Sequence, residues 1–257
     1  MTEQQLNIDQ SEIDRFDDQA EKWWDLKGQF KALHQINPAR LAYVSQRAGL
    51  RDNKVLDVGC GGGLLCEAMA GRKAQVAGID MAPEALAVAR AHARQRQLSV
   101  QYYQSTAEAW AAEHSGVYDV VTCMELVEHV PDPAALVQAC AVLVRPEGHV
   151  FFATVNRTWL ARLLVIGMSE YILGIVRKGT HQYRRFVRPG ELSLWADQAG
   201  LHRADLSGLR FLPYIGYARL CKDTRMNYLM DFIKKPSPNQ LRQIKSNNRS
   251  SLIEKGL

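Results

Sequence analysis

Cysteine is scarce and unpatterned. The five cysteines (Cys60, Cys66, Cys123, Cys140, Cys221) are odd in number and none are spaced C-x-x-C. That argues against a disulfide framework and a cysteine-bound zinc, and it fits a reducing, cytoplasmic setting. Long apolar runs are missing as well. No stretch reaches the roughly 18 uncharged apolar residues that a spanning helix needs, so no transmembrane helix is expected. Basic residues are rare at the start: the first 21 residues hold seven acids and only Arg15. Such a start excludes a basic, acid-poor leader and reads as a mature cytosolic N-terminus. Net charge is absent from the body. The chain's +5 lies in residues 234–257, where six Lys or Arg face one acid, Glu254. Residues 1–233 balance at 26 basic and 26 acidic groups, which excludes a nucleic-acid footprint over the domain. The polar, basic residues 236–257 are expected to be disordered.

What is present alternates. Strand-like apolar runs at 54–58, 75–79, 100–103, 117–123 and 149–154 are separated by helical patterns at 63–70, 83–96, 106–114 and 134–144. That order predicts an α/β fold, a mostly parallel sheet with helices on both faces. Pro83 suits a first helical turn, and "RPEG" (Arg145–Gly148) reads as a turn entering the fifth strand. After an interruption the pattern resumes with a helix near 189–199 and final strands around 202–209 and 226–232, seven strands in all. Residues 1–235 are read as one domain, with 1–50 as a helical lid and 156–188 as an insertion after the fifth strand.

The first strand runs into "VLDVGCGGG" (Val55–Gly63). A glycine turn after a first strand serves both dinucleotides and S-adenosylmethionine. The dinucleotide fingerprint G-x-G-x-x-G needs a third glycine, and Leu64 stands there after Gly59 and Gly61. Asp57 would repel phosphates at this turn, whereas a cofactor carrying an ammonium and a sulfonium favours a carboxylate. Asp57, Gly59 and Gly61 are therefore assigned to S-adenosylmethionine. Asp80, at the end of the second strand, is placed to accept both ribose hydroxyls, a role that NAD enzymes share.

These stretches, with "GIDMAPEAL", "YDVVTCMELVEHVPDP" and "FFATVNR", resemble the class I methyltransferases. The flanking "WWDL", "INPAR" and "KGTH" stretches narrow the resemblance to the ubiquinone-biosynthesis O-methyltransferase family, over about Ile13 to Lys234. It implies a Rossmann-like fold, a polyprenyl phenol or catechol acceptor methylated at two steps, and contact with other enzymes of that pathway. The family's cofactor contacts map onto Arg40, Gly59, Asp80 and Met124. Arg40 would hold the cofactor carboxylate, a task suited to a planar guanidinium, and Met124 would lie near adenine.

A phenol with a pKa near ~10 is about one part in a thousand ionised at neutrality, a penalty of roughly 4 kcal/mol, so methyl transfer calls for a base, a metal or both. Glu125, Glu128 and His129 of "MELVEH" fall at i, i+3 and i+4, which puts all three on one side of a helical turn. The resemblance implies a Mg²⁺ site in this set, although imidazole is an unusual ligand for that ion. His129 as general base is the rival use. His34 and His181 lie in family-specific stretches and read first as structural. Two other functions stay open: a methyltransferase for a different small acceptor, and a non-catalytic cofactor-binding component of a biosynthetic complex.

Residues 156–186 mix an apolar core with Arg157, Arg162, Arg177, Lys178, Arg184 and Arg185, and Glu170 is the single acid. The pattern suits a segment lying at an anionic membrane surface, or a lid over the site. The expected location is cytoplasmic and peripheral to the membrane.

Overall fold

The computed structural model describes residues 6–159, 161, 185–212 and 215–236. The strands are β1 (Lys54–Val58), β2 (Gln75–Asp80), β3 (Val100–Gln104), β4 (Tyr118–Met124), β5 (Val144–Val155), β6 (Leu201–Leu212), β7 (Tyr217–Cys221) and β8 (Asn227–Lys234). They form one sheet in the order β3-β2-β1-β4-β5-β8-β6-β7. The first five run parallel, and β8, β6 and β7 add antiparallel pairs.

Eight strands stand where seven were expected, and the addition is the edge strand β7. Its sequence is half exposed and carries Arg219, so it lacks the apolar run that marks a central strand. The turn expected at Arg145–Gly148 lies inside the irregular start of β5, where the register with β4 shifts and Glu147 has φ 63°.

The helices are α1 (Gln10–Asp17), α2 (Lys31–Ala48), α3 (Leu64–Ala70), α4 (Pro83–Gln95), α5 (Ala107–Glu113), α6 (Pro133–Leu143) and α7 (Pro189–Gln198). Five of the seven begin at a capping side chain or a first-turn proline. Thr106 and Asp132 accept backbone N–H bonds from Ala109 (3.2 Å) and Ala135 (3.1 Å), and prolines occupy the first turns of α4, α6 and α7. The period of two in β1 divides the core. Leu56 and Val58 pack on the α5–α6–α7 side, and Val55 packs on the α2–α3–α4 side. Phe151 and Phe152, both fully buried, face opposite cores in the same way. Truncating either to Ala costs about 3–5 kcal/mol.

Strand order reverses beside β1, whose neighbours are β2 and β4. The crevice outside the carboxyl ends of these strands is where such sheets bind ligands. The glycine turn, Asp80 and the "MELVEH" segment all lie there. Among the described residues no helix is long and apolar enough to cross a membrane. Most of the 156–188 insertion, including Arg162, Glu170, Arg177, Lys178, His181 and Arg184, lies outside the described residues, as does the tail from 237.

Candidate active site

Asp57 is buried at the end of β1. It accepts hydrogen bonds from Thr122 Oγ1 on β4 (2.6 Å) and Cys66 Sγ on α3 (3.4 Å). Burial raises its carboxyl to about 6, against the lowering effect of these two donors and of Arg40. A buried acid held this way gains from any cation brought beside it. The turn that follows needs glycine: φ is 73° at Gly59, 50° at Gly61 and 84° at Gly63. Asp80, also raised by burial, accepts from Gly61 N (2.8 Å) and Ala82 N (2.9 Å) and so holds the turn against β2.

Arg40, on α2, is buried and forms an ion pair with Glu125 across the crevice; its Nε has no partner. Met124 ends β4, packed in the core on the α2–α3 side. The expected cofactor set therefore converges at one end of the sheet.

The "MELVEH" segment departs from expectation. Glu125 has φ 58°, so the chain turns sharply after β4, and His129 N bonds back to Leu126 O (2.8 Å) in a turn rather than a helix. The three side chains are consequently sent to three places. Glu125 meets Arg40. Glu128 is buried with Oε2 unpartnered, and burial, reinforced by the charge of Glu125, pushes its carboxyl up to about 7. His129 Nδ1 lies 2.9 Å from Glu12 Oε2 on α1. Burial pulls the imidazole pKa down, but Glu12 and Glu128 outweigh it and the net shift is upward. Among the described residues no three His, Cys, Asp or Glu stand together as a metal site. The donor set as arranged does not fit Mg²⁺: Glu125 is spent on the Arg40 guanidinium and His129 on Glu12, so the three side chains do not converge.

His34 has a structural role, its Nε2 lying 2.9 Å from Trp23 O. Three residues that sequence reading missed belong to the site. Thr122 is one of the buried positions of β4, and only its facing Asp57 gives it meaning. Glu12 lies in the acidic N-terminal stretch, with no motif to single it out. Trp23 lies directly on the glycine turn, in a "WW" pair that served only as a family marker.

A methyltransferase-domain model matches residues 30–203. The ubiquinone biosynthesis O-methyltransferase of Pectobacterium carotovorum subsp. carotovorum is 51% identical over 225 residues, spanning 87% of this chain and 94% of that protein. The enzyme of the same name from Saccharophagus degradans is 48% identical over 231 residues, spanning 90% and 98%. The chain belongs to the ubiquinone biosynthesis O-methyltransferase family. Solved structures agree on the fold. Magnesium protoporphyrin IX methyltransferase from Synechocystis with bound S-adenosylhomocysteine superposes with TM-score 0.65 at 17% identity, over 88% of this chain and 100% of that one. A putative methyltransferase from Bacillus halodurans gives 0.58 at 18% identity, over 76% and 99%. Members of this family are O-methyltransferases, and the glycine turn, the buried Asp57 and the unpartnered Arg40 Nε fit an S-adenosylmethionine site.

Proposed function

We propose that the chain moves a methyl group from S-adenosylmethionine to a phenolic oxygen of polyprenyl phenol and catechol intermediates of ubiquinone biosynthesis, at both O-methylation steps. The observation that carries the cofactor half is Asp57, a buried carboxylate beside a glycine turn, which suits a cationic cofactor and repels a pyrophosphate. The acceptor half rests on relatives about half identical over nearly their whole length.

S-adenosylmethionine, when bound, supplies an activated methyl on a positive sulfonium. Arg40 pairs with the cofactor carboxylate, Asp57 offers its charge to the cationic end, and Asp80 accepts the ribose hydroxyls. Met124 packs toward the adenine. His129 takes the phenol proton at Nε2, since Glu12 beside Nδ1 favours the tautomer with its proton there. Relieving the roughly 4 kcal/mol ionisation penalty is the main chemical task left to the protein, the rest being orientation. No step is assigned to Glu125 or Glu128 through a metal.

A polyprenyl substrate resides in a bilayer, so the cytoplasmic enzyme works peripherally at its surface. The basic and apolar 156–188 stretch is the proposed point of contact with anionic lipid. Vesicles rich in anionic lipid should float the protein at low salt, and Gln at Arg177, Lys178, Arg184 and Arg185 should weaken this while sparing cofactor affinity. Failure to float at low salt contradicts the contact.

Two titrations test the function. Calorimetry should show S-adenosylhomocysteine binding and no nicotinamide dinucleotide binding. An acceptor panel with labelled donor should label polyprenyl catechols in preference to amines and thiols. Preferential labelling of an amine would overturn the acceptor class, and nicotinamide binding alone would overturn the cofactor.

A further inference from the structure

The glycine turn, Arg40 and Asp80, all assigned above to the cofactor, are already in contact with other parts of the chain. The Trp23 ring lies on the glycine turn: a β-carbon on Gly61 would stand 2.3 Å from the ring, and one on Gly62 would stand 2.2 Å from it. Leu126 covers Gly59, where a β-carbon would approach to 2.9 Å. Arg40 is taken by Glu125, and Asp80 by two backbone N–H groups.

Trp23 reaches the turn as part of one strap, Asp9–Phe30, which crosses the carboxyl end of the sheet. Asp17 Oδ1 accepts from Glu84 N at the start of α4 (3.0 Å), and Glu12 meets His129. Trp24 stacks on His92 of α4 at 3.5 Å and donates to Gly62 O (3.0 Å). Trp23 stacks on Phe30 at 4.3 Å.

The hold is nevertheless incomplete. Trp23 Nε1 is buried with no acceptor. A buried donor without a partner costs about 1–3 kcal/mol, which offsets part of the hold made by burying Ala20, Trp23 and Phe30.

We infer that in the ligand-free protein Trp23 occupies the cofactor's seat on the Gly61–Gly62 turn, and that cofactor entry requires the Ala20–Phe30 part of the strap to lift away, while helix α1 and its Glu12–His129 contact stay in place. The strap acts as a removable internal competitor. It rests on the methyl-transfer reading above and adds a gate to it. Because only the open fraction binds, the measured affinity is weaker than the intrinsic one by that fraction, so a chain closed about 90% of the time gives up about tenfold.

Hydrogen exchange on the full chain, with and without saturating S-adenosylhomocysteine, tests the gate without any substitution. Amides of the strap, such as Trp23 N bonded to Ala20 O, should exchange at least about tenfold faster when ligand is bound, while β1 and α3 slow. A second measurement uses W23A, which should bind S-adenosylhomocysteine about tenfold more tightly than the unmodified chain. Strap exchange that is unchanged or slower in a chain shown by calorimetry to hold ligand overturns the gate and leaves the methyl-transfer reading intact. Equal or weaker binding by W23A does the same. Absence of any binding overturns both.

Discussion

Glu12 Oε2, on the first helix, lies 2.9 Å from His129 Nδ1, just beyond the fourth strand. The contact joins the strap to the proposed base and fixes which ring nitrogen is free. It lowers the Glu12 carboxyl, chiefly through His129, and leaves the imidazole above its ordinary range despite burial.

The pair's stabilising effect follows from these directions. A lowered acid contributes above its unfolded value and loses that as pH falls through its folded one. A raised histidine contributes below its unfolded value and loses that as pH rises through its folded one. The overlap runs from about pH 4.5 to about 6.5. E12Q should therefore cost about 1 kcal/mol in urea unfolding near pH 6 and clearly less at pH 9. It should also move the acid limb of kcat/KM to lower pH, because the imidazole then loses its proton more easily. A loss of stability equal at both pH values, with an unmoved limb, would contradict the pairing.

Asp57 gives the opposite sign. Its folded value of about 6 exceeds the ordinary 3.8, so the native state binds its proton more tightly than the unfolded chain does. Stability falls as pH rises from 4 to 6, and the cost is complete above 6. D57N should raise stability at pH 7 by up to about 3 kcal/mol, an advantage that fades as the pH is lowered to 4. The same variant should bind S-adenosylhomocysteine at least about tenfold more weakly, because the ammonium loses its counter-charge. A stabilised D57N with intact affinity would remove Asp57 from the site.

Arg40 is expected to read a carboxylate with two nitrogens, and lysine presents only one. R40K should lower S-adenosylhomocysteine affinity about tenfold or more by calorimetry. Binding of 5′-methylthioadenosine, which lacks the amino-acid end, should change little. Equal losses for both ligands would mean that Arg40 supports the site's shape rather than the carboxylate.

Much of this arrangement is legible in the sequence because it depends on short-range constraints. The β1 glycine turn announces itself through residues that must adopt positive φ, and Asp57 through the charge it would impose on a phosphate. Strands β1, β2, β4 and β5 appear as apolar runs because both their faces are largely buried. β7 does not, since an edge strand exposes polar side chains and carries no such run. The spacing of Glu125, Glu128 and His129 suggested one helical face, and a single residue at φ 58° undid that by turning the chain. Glu12 and Trp23 were out of reach for another reason. Their partners, His129 and Gly61, lie far along the chain, and no local pattern records which distant residue a helical acid or a paired tryptophan will meet.

Because Glu125 is paired with Arg40 and His129 with Glu12, away from Glu128, the methyl-transfer rate should survive exhaustive chelation. The check is initial velocity in excess EDTA, with and without added Mg²⁺. A loss of activity that Mg²⁺ restores would show that the segment rearranges to gather Glu125, Glu128 and His129.

The most direct test of the central claim is product analysis. The chain would be incubated with methyl-labelled S-adenosylmethionine and a short-chain polyprenyl catechol, and the products separated by mass spectrometry. The expected result is one labelled methyl per acceptor, located on a phenolic oxygen and formed in step with S-adenosylhomocysteine. S-adenosylhomocysteine without labelled lipid, or a label on ring carbon, would contradict O-methylation of this substrate class.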